Sequence, residues 1–217
     1  ATATSADEIA EAQRLRWLCF VGRGRDGPPD ARDADDYDGR CTHVLIRDIA
    51  SGRLVACFRM LTLSGGAEIG DSYSARYYNL SRLHDFTGRM VEIGRFCIHP
   101  EWHDPDILRV AWAALTRHVD DTGVELLFGC SSFMGTQTQD YEDAFAMLRA
   151  RHIAPRRRAL WQAGLGAIAS RAPVSVSYAR SVTSSPQVGF TWCTSAASPS
   201  RRPWPTLRLE WSRISSW

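Results

Sequence analysis

The sequence predicts one α/β domain, with a mixed β-sheet flanked by helices, over about residues 5–155. Runs typical of strands occur at 42–48, 53–62, 91–98 and 125–131, and they alternate with helical patterns at 6–19, 105–122 and 140–151. The run at 91–98 is apolar on both of its alternating faces, as is typical of a central strand covered on both sides. This strand should therefore lie in the middle of a mixed sheet, in an arrangement that can also be described as α+β.

The helical patterns carry their own start and stop signals. Ser5 and Glu8 have the spacing of a capping box, and apolar residues follow at helical spacing. Asp104 and Pro105 suit the start of the second helix, and Gly123 suits its end. The third pattern opens with acidic residues and ends with basic ones, which complements the helix dipole. These start and stop signals predict where each helix begins and ends.

The first two strands form a hairpin signal, because a turn at 50–52 separates two apolar runs. Arg59 lies inside the second run, where an unpaired cation is unusual. Between the first helix and the first strand, residues 22–40 form a long loop that contains Asp35 and Asp38. Long loops of this kind are often functional, although a solvated turn is an equal alternative for the acidic group.

The central strand carries two charged residues, Glu92 and Arg95, which are costly to bury unless they are paired or functional. Strict alternation places them on opposite faces, and a bulge near Gly94 would change this. The same alternation divides the apolar residues into two sets, with Val91, Ile93 and Cys97 on one face and Phe96 and Ile98 on the other. Two interpretations remain open: a structural ion pair, or a catalytic carboxylate with an arginine close by.

Composition narrows the class of protein. The chain is 44% hydrophobic, its formal net charge is only +2, and all 26 basic residues are arginine. No apolar stretch is long enough to span a bilayer. The six cysteines include no CxxC pair, so a cytoplasmic location is favoured and no metal site is expected.

The C-terminal segment, residues 156–217, has a different character. It is rich in Arg, Ser and Trp, lacks sustained periodicity, and belongs to a stretch without acidic residues between Asp143 and Glu210. A basic tail that binds nucleic acid or anionic lipid is one interpretation. However, the tryptophans are too many for a typical disordered tail. Out-of-frame translation of a GC-rich sequence is the interpretation that we favour.

Five motifs occur in one order along the chain: Arg16-x-x-x-Phe20, Asp35-x-x-Asp38, Phe58-Arg59-Met60-Leu61, Glu92 to Pro100, and Phe128 to Phe133. Together they resemble the bacterial ornithine–acyl-carrier-protein N-acyltransferases, which make lyso-ornithine lipid. They are more distantly similar to the acyl-homoserine-lactone synthases, and both families belong to the GNAT-like acyltransferase superfamily. The resemblance implies a GNAT-like N-acyltransferase domain over 1–155, followed by an irregular segment over 156–217.

The resemblance also implies the chemistry. A (3-hydroxy)acyl chain would move from acyl-carrier protein to the α-amino group of ornithine, which must first lose a proton to a base. Glu92 is the candidate base, and Cys97 as a nucleophile or His99 as a base are weaker alternatives. By resemblance, the substrate and donor cleft comprises Arg16, Phe20, Asp35, Asp38, Arg59, Arg95, Phe96 and Cys97. Backbone N–H groups near Phe96 to Ile98 would stabilise the oxyanion.

The donor and partners follow from the same resemblance. The glycine-rich pyrophosphate loop of ordinary acetyltransferases is absent between the central strand and the next helix. This is compatible with acyl-phosphopantetheine on acyl-carrier protein as the donor, with no permanently bound cofactor. Ornithine and acyl-carrier protein are the expected partners, peripheral contact with the inner membrane surface is left open, and no nucleic acid is expected. The alternatives are an enzyme like the acyl-homoserine-lactone synthases, a non-catalytic protein that keeps the fold, or a nucleic-acid binder with a basic tail.

Overall fold

The computed structural model describes residues 1–22, 27–134, 138–151 and 190–197. Five strands form one sheet in chain order: β1 (Thr42–Arg47), β2 (Leu54–Leu63), β3 (Met90–Ile98), β4 (Leu126–Met134) and β5 (Phe190–Ala197). The pairs β1–β2 and β2–β3 are antiparallel, and the pairs β3–β4 and β4–β5 are parallel. The predicted mixed sheet is confirmed, with β3 at its centre.

The helices lie close to the predicted ranges. They are α1 (Ala6–Arg16), α2 (Asp106–Thr122) and α3 (Glu142–Arg151). The N-cap of α2 is Pro105, whereas the sequence predicts Asp104 at this position. Both halves of the Ser5–Glu8 capping box form, and Gly123 ends α2 in the left-handed conformation with φ +68°. The helical path of α1 continues as a π-helical turn over Trp17–Val21. Three short 3₁₀ helices occupy the segment between β2 and β3: Gly66–Asp71, Ser74–Arg76 and Ser81–Leu83.

The two faces of the sheet differ in chemistry. The face under α2 is a continuous apolar core, which includes Val91 and Ile93 of β3 and Ala111 and Leu115 of α2. The opposite face carries two separate apolar clusters, one packed against α1 and the other against the 3₁₀ segment. Since Arg59 and Glu92 lie between these two clusters, buried polar chemistry is concentrated on this second face.

A β-bulge interrupts β3 immediately after Gly94. Cys57 pairs with Cys97 and Arg59 with Gly94, so β3 has one residue more than β2 in this interval. Arg95 absorbs the irregularity with φ +53°, a left-handed conformation that is uncommon outside glycine. The bulge that the sequence allowed near Gly94 is therefore confirmed.

The bulge overturns the strict alternation predicted for β3. Phe96 and Ile98 pack on the α2 core together with Ile93, whereas Cys97 packs on the α1 side. The predicted grouping of Ile93 with Cys97 is wrong, because the extra residue reverses the phase of alternation. Arg95 instead comes to the same side of the sheet as Glu92, where both side chains reach the 3₁₀ segment.

Strands β3 and β4 separate halfway along their length. They pair from Met90–Leu126 to Ile93–Gly129, and both then continue without pairing to each other in the part of the chain that the structure describes. Gly129 sits at the last pair, and a Cβ atom there would lie 2.3 Å from the Ile93 carbonyl oxygen. The separation leaves an open edge on β3 beyond Ile93.

The C-terminal segment contributes at least one regular element. The sequence predicts an irregular segment over 156–217, but Phe190–Ala197 is a strand that pairs with β4 along its whole length. The prediction is wrong for these eight residues. Residues 152–189 and 198–217 lie outside the described residues, so the domain boundary at 155 stays a prediction. Within the described chain, no helix is long and apolar enough to cross a membrane.

Candidate functional site

A buried ion cluster lies on the second face of the sheet, between α1, β2 and the loop before β1. Arg16, at the end of α1, is 1% exposed. Its Nη1 donates to Oδ1 of Asp38 at 2.6 Å and its Nε donates to Oδ2 of Asp33 at 3.0 Å, while Nη2 donates to the Asp33 carbonyl oxygen. The loop thus folds around an arginine that α1 delivers to the sheet.

Arg59 joins the same cluster from β2. Its Nη1 donates to Oδ1 of Asp35 at 2.6 Å and to Oδ1 of Asp38 at 2.7 Å, and its Nη2 donates to Oδ2 of Asp35 at 2.7 Å. The unusual cation inside an apolar strand is therefore fully paired. His43, its neighbour on β1, contacts the Asp38 carbonyl oxygen through Nε2 at 3.0 Å.

Arg95 lies at the outer edge of the cluster and is the most accessible of its arginines. Its Nε lies 3.3 Å from Oδ2 of Asp33, and its Nη2 lies 3.6 Å from Oδ2 of Asp35. The guanidinium also lies 5.7 Å from the ring centroids of both Phe20 and Tyr73, within the range of cation–π contact. The side chain is 27% exposed, so this cation is partly accessible to solvent.

Glu92 lies on the middle of β3, is 4% exposed, and has its own set of donors. Its Oε2 accepts from the backbone N–H of Tyr73 at 2.8 Å. Its Oε1 accepts from the backbone N–H of Ser74 at 2.7 Å and from the Ser74 hydroxyl. No ion pair joins Glu92 to an arginine in the described chain. The structural ion pair between Glu92 and Arg95 is therefore not formed, although both side chains reach the same site.

The pKa values of the acids in this site shift in two directions: those of Asp35 and Asp38 are lowered, and that of Glu92 is raised. Burial raises the pKa of Asp38, but hydrogen bonds from Arg16, Gln13 and Arg59 outweigh burial and hold this pKa well below its usual range. The pKa of Asp35 is lowered in the same way, mainly by Arg59. For Glu92, burial is the largest effect, and it raises the pKa above its ordinary value despite the hydrogen bonds from Ser74 and Tyr73. Glu92 is thus the one of these three carboxyls whose pKa is shifted upward, the direction that makes a carboxylate a better proton acceptor.

Seven of the nine predicted site residues meet in the polar part of the second face. Phe96 lies on the other face, and Cys97 lies on the second face but inside the apolar cluster against α1. Arg16, Phe20, Asp35, Asp38, Arg59, Arg95 and Glu92 share the second face. The ring of Phe96 instead stacks on Phe58 and Trp112 in the α2 core, with centroid distances of 5.6 and 6.5 Å. The thiol of Cys97 lies 3.6 Å from the Cys57 sulfur. Its contacts with the Cys19 and Cys57 thiols, together with burial, raise its pKa well above the ordinary thiol value. Such a thiol is a poor nucleophile.

Three residues of the site escaped sequence reasoning: Asp33, Tyr73 and Ser74. Asp33 belongs to the acidic loop, two positions before Asp35, so the alternation of acids along the loop was a usable signal. Tyr73 and Ser74 lie in a segment without period, and two of their three contacts to Glu92 come from backbone N–H groups. Backbone donors have no signature in a sequence.

The arrangement suits proton abstraction in a polar, largely buried site that is bordered by the partly exposed Arg95. A carboxylate with a raised pKa faces a side lined by arginines and aromatic rings, and the open edge of β3 lies on the same strand. In the part of the chain with described side chains, no group of His, Cys, Asp or Glu has the geometry of a metal site. The residues that do meet here, a buried carboxyl with a raised pKa and several arginines, are suited to acid–base and electrostatic chemistry.

Comparison with known proteins supports the GNAT-like fold class that the sequence predicts. Residues 15–113 match the family described as "Acetyltransferase (GNAT) domain". This range contains α1 from its last turn, the ion cluster, β1 to β3 and the first part of α2. The fold class is confirmed as GNAT-like.

The particular relatives are L-ornithine N(alpha)-acyltransferases. The protein of that name from Rhodobacter capsulatus is 34% identical over 163 residues, which cover 70% of this chain and 63% of the relative. The one from Rhizobium meliloti is 29% identical over 158 residues, which cover 67% of this chain and 53% of the relative. The chain therefore spans between half and two thirds of the length of these relatives. The resemblance to this group, expected from the motifs, is confirmed.

Solved structures give a weaker likeness. The AHL synthase LasI is 22% identical, and the match covers 57% of this chain and 64% of that chain with a TM-score of 0.43. A CoA-dependent acyl-homoserine lactone synthase, BjaI, is 18% identical, with 66% of each chain covered and a TM-score of 0.44.

Proposed function

We propose that this chain is an N-acyltransferase that moves a (3-hydroxy)acyl group from acyl-carrier protein to the α-amino group of ornithine, giving lyso-ornithine lipid. The observation that carries the proposal is the site around Glu92, within a chain 34% identical to an L-ornithine N(alpha)-acyltransferase. A buried carboxylate with a raised pKa is the group that the acceptor amine requires, because an α-ammonium group must lose a proton before it can attack.

The proposed reaction proceeds in three steps. Glu92 accepts one proton from the α-ammonium group of ornithine, and the neutral amine attacks the carbonyl carbon of the acyl thioester. The new C–N bond forms as the carbonyl oxygen becomes an oxyanion, and backbone N–H groups on the open edge of β3 near Phe96 to Ile98 stabilise it. The C–S bond then breaks and the pantetheine sulfur leaves as a thiol after it takes the second amine proton. The overall reaction releases one proton.

The donor in this proposal is acyl-phosphopantetheine on acyl-carrier protein, which is a substrate and not a resident cofactor. Arg95 is partly accessible to solvent and is suited to attract the carboxylate of ornithine or an anionic group of the donor. The buried Arg16 and Arg59 are already paired with aspartates, so they hold the cleft together and leave Arg95 as the accessible cation.

The proposal is tested with the chain of residues 1–217, acyl-carrier protein charged with a 3-hydroxyacyl group, and ornithine. We expect N-acylornithine by mass spectrometry and an equal amount of free carrier thiol. Parallel reactions with lysine, and with S-adenosylmethionine as the acceptor for the homoserine-lactone alternative, should give little product. If no N-acylornithine forms, the proposed function of this chain is refuted.

The role of Glu92 is tested by Glu92→Gln, which keeps the shape of the side chain but cannot accept the proton. We expect turnover at neutral pH to fall by about 10²- to 10⁴-fold, as for the loss of a general base. The loss should shrink as pH rises, because the free amine becomes abundant. Glu125→Gln, at an exposed position before β4, is the matched control and should keep full activity. Undiminished turnover of the folded Glu92→Gln variant would rule out the base role.

A further inference from the structure

We propose that Ser74 is a positioning residue, one that occupies Oε1 of Glu92 and leaves Oε2 as the oxygen that takes the proton. This inference rests on the proposed function of Glu92 as the base. It concerns a buried side chain whose hydroxyl touches Glu92 and connects β3 to β4.

The count of acceptor sites supports the assignment. A carboxylate oxygen offers two lone pairs to hydrogen-bond donors. Oε1 of Glu92 already accepts two hydrogen bonds, from the Ser74 backbone N–H and the Ser74 hydroxyl. Among the described residues, Oε2 accepts one, from the Tyr73 backbone N–H. The remaining lone pair of Oε2 is therefore the position at which a substrate proton can arrive without displacing a protein donor.

The Ser74 hydroxyl has a defined orientation because it has two neighbours. Its oxygen lies 3.1 Å from the Cys130 sulfur, on β4 just beyond the point where β3 and β4 separate. A hydroxyl has one proton, and this proton is used on Glu92, so the Cys130 thiol must be the donor to Ser74. The resulting chain runs from the Cys130 thiol to the Ser74 hydroxyl and on to Oε1. It holds the carboxylate plane fixed between the two strands.

Other charged or titratable groups also face Glu92. Arg59 on β2, Cys41 before β1 and Tyr73 in the 3₁₀ segment interact with Glu92 directly, and Cys130 on β4 reaches it through the Ser74 hydroxyl. Burial raises the pKa of the Tyr73 phenol to about 12 and that of the Cys41 thiol to about 11, so both stay neutral over the assay range. Salt-bridged Arg59 stays charged. Cys130→Ser replaces the Cys130 thiol with a hydroxyl that can still donate to Ser74. The acidic limb of the pH dependence of kcat/KM should therefore stay in place in this variant.

The test compares two buried serines of the same segment. Ser74→Ala removes the hydroxyl that touches Glu92. Ser72→Ala is the matched control, because the Ser72 hydroxyl is equally buried but bonds to the Ile69 carbonyl oxygen and the Ala75 N–H instead. Ser74→Cys keeps the size of the side chain with a weaker donor and should give an intermediate result.

The first readout does not depend on activity. The chain is labelled with ¹³C at the glutamate side-chain carboxyl, and the Glu92 signal is assigned by its loss in Glu92→Gln. We expect Ser74→Ala to raise the pKa of Glu92 by roughly one unit, since a hydrogen bond that favoured the charged form is lost. Ser72→Ala should leave it unchanged. An unshifted signal in Ser74→Ala, or an equal shift in Ser72→Ala, would overturn the inference.

The second readout is the pH dependence of kcat/KM for ornithine. The acidic limb should move up by the same amount in Ser74→Ala and stay in place in Ser72→Ala. The KM for ornithine should change little in both, because neither hydroxyl is assigned to substrate binding. If the chain forms no N-acylornithine, the proposed function fails, while the carboxyl titration still decides the contact between Ser74 and Glu92. If the chain is active but the limb does not move in Ser74→Ala, only the inference about Ser74 fails.

Discussion

Asp38 is the acid on which the ion cluster depends, and Asp38→Asn should cost roughly 3–5 kcal/mol of unfolding free energy, the usual cost of breaking a buried ion pair. The side chain is 9% exposed and accepts from Arg16 at 2.6 and 3.2 Å, from Arg59 at 2.7 Å and from Gln13 at 2.9 Å. An asparagine keeps one acceptor oxygen and points its amide at guanidinium groups that can only donate. Two buried cations are then left with too few acceptors.

The measurement is urea unfolding followed by circular dichroism, with a thermal scan beside it. For a domain of this size each kcal/mol moves Tm by about 2–4 °C, so Asp38→Asn should lower Tm by roughly 6–20 °C. Asp36→Asn is the control, because Asp36 is exposed in the same loop, and it should stay within about 0.5 kcal/mol of the parent chain. A loss below about 1 kcal/mol in Asp38→Asn would refute the view that this carboxylate holds both arginines.

The sign of the pH dependence follows from the lowered pKa of Asp38. A group whose folded-state pKa lies below its unfolded value stabilises the fold at pH above the unfolded pKa, which is near 4 for aspartate. The stabilisation is lost as pH falls from there toward the folded pKa. The stability difference between the parent chain and Asp38→Asn should therefore be constant at neutral pH and shrink under acid conditions. A difference that grows on acidification would contradict this assignment.

Two further predictions concern the strands that frame the site. Gly129→Ala should destabilise the chain by several kcal/mol, because its Cβ would lie 2.3 Å from the rigid Ile93 carbonyl oxygen, whereas Gly39→Ala, with open space around it, should be nearly neutral in the same urea titration. Phe96→Ala should destabilise the chain by less than the about 3–5 kcal/mol of a fully buried phenylalanine, because Phe96 is only partly buried beside Trp112. Because that ring lies on the α2 face, the acidic limb of the rate profile should not move, and a moved limb would place it in the cleft.

Sequence reasoning recovered the parts of the fold that depend on local patterns. The capping box at Ser5, the left-handed stop at Gly123 and the apolar run of β3 each have a physical cause within a few residues of chain. The bulge beside Gly94 could be foreseen as an option. Strict alternation puts Glu92 and Arg95 on opposite faces of the sheet, and an extra residue between them would bring them to the same face. The effect of the bulge on Phe96 could not be foreseen, since the face of the sheet on which the Phe96 ring lies depends on where the extra residue is inserted.

The missed parts of the site depend on contacts between segments far apart in the chain. Ser74 is 18 residues from Glu92, in a stretch whose fold is set by 3₁₀ turns and not by a hydrophobic period. Asp33 becomes a ligand of Arg16 only because the loop passes back over α1, where its N–H donates to the Gln13 carbonyl oxygen at 3.0 Å. Likewise, no periodic signal marks Phe190–Ala197, which becomes a strand through its pairing with β4.

The distribution of charge explains how Glu92 can be buried beside arginines and still have a raised pKa. Nearby cations offset the cost of burying a carboxylate, but they also lower its pKa and weaken it as a base. Here Arg16 and Arg59 are paired with Asp33, Asp35 and Asp38, and the charge of Arg59 lowers the pKa of Glu92 by less than burial raises it. Hydrogen bonds from the 3₁₀ segment stabilise the carboxylate instead, and burial remains the dominant effect on its pKa. The aspartates thus keep the cleft rich in arginine without making Glu92 too weak an acceptor for the proton of an amine.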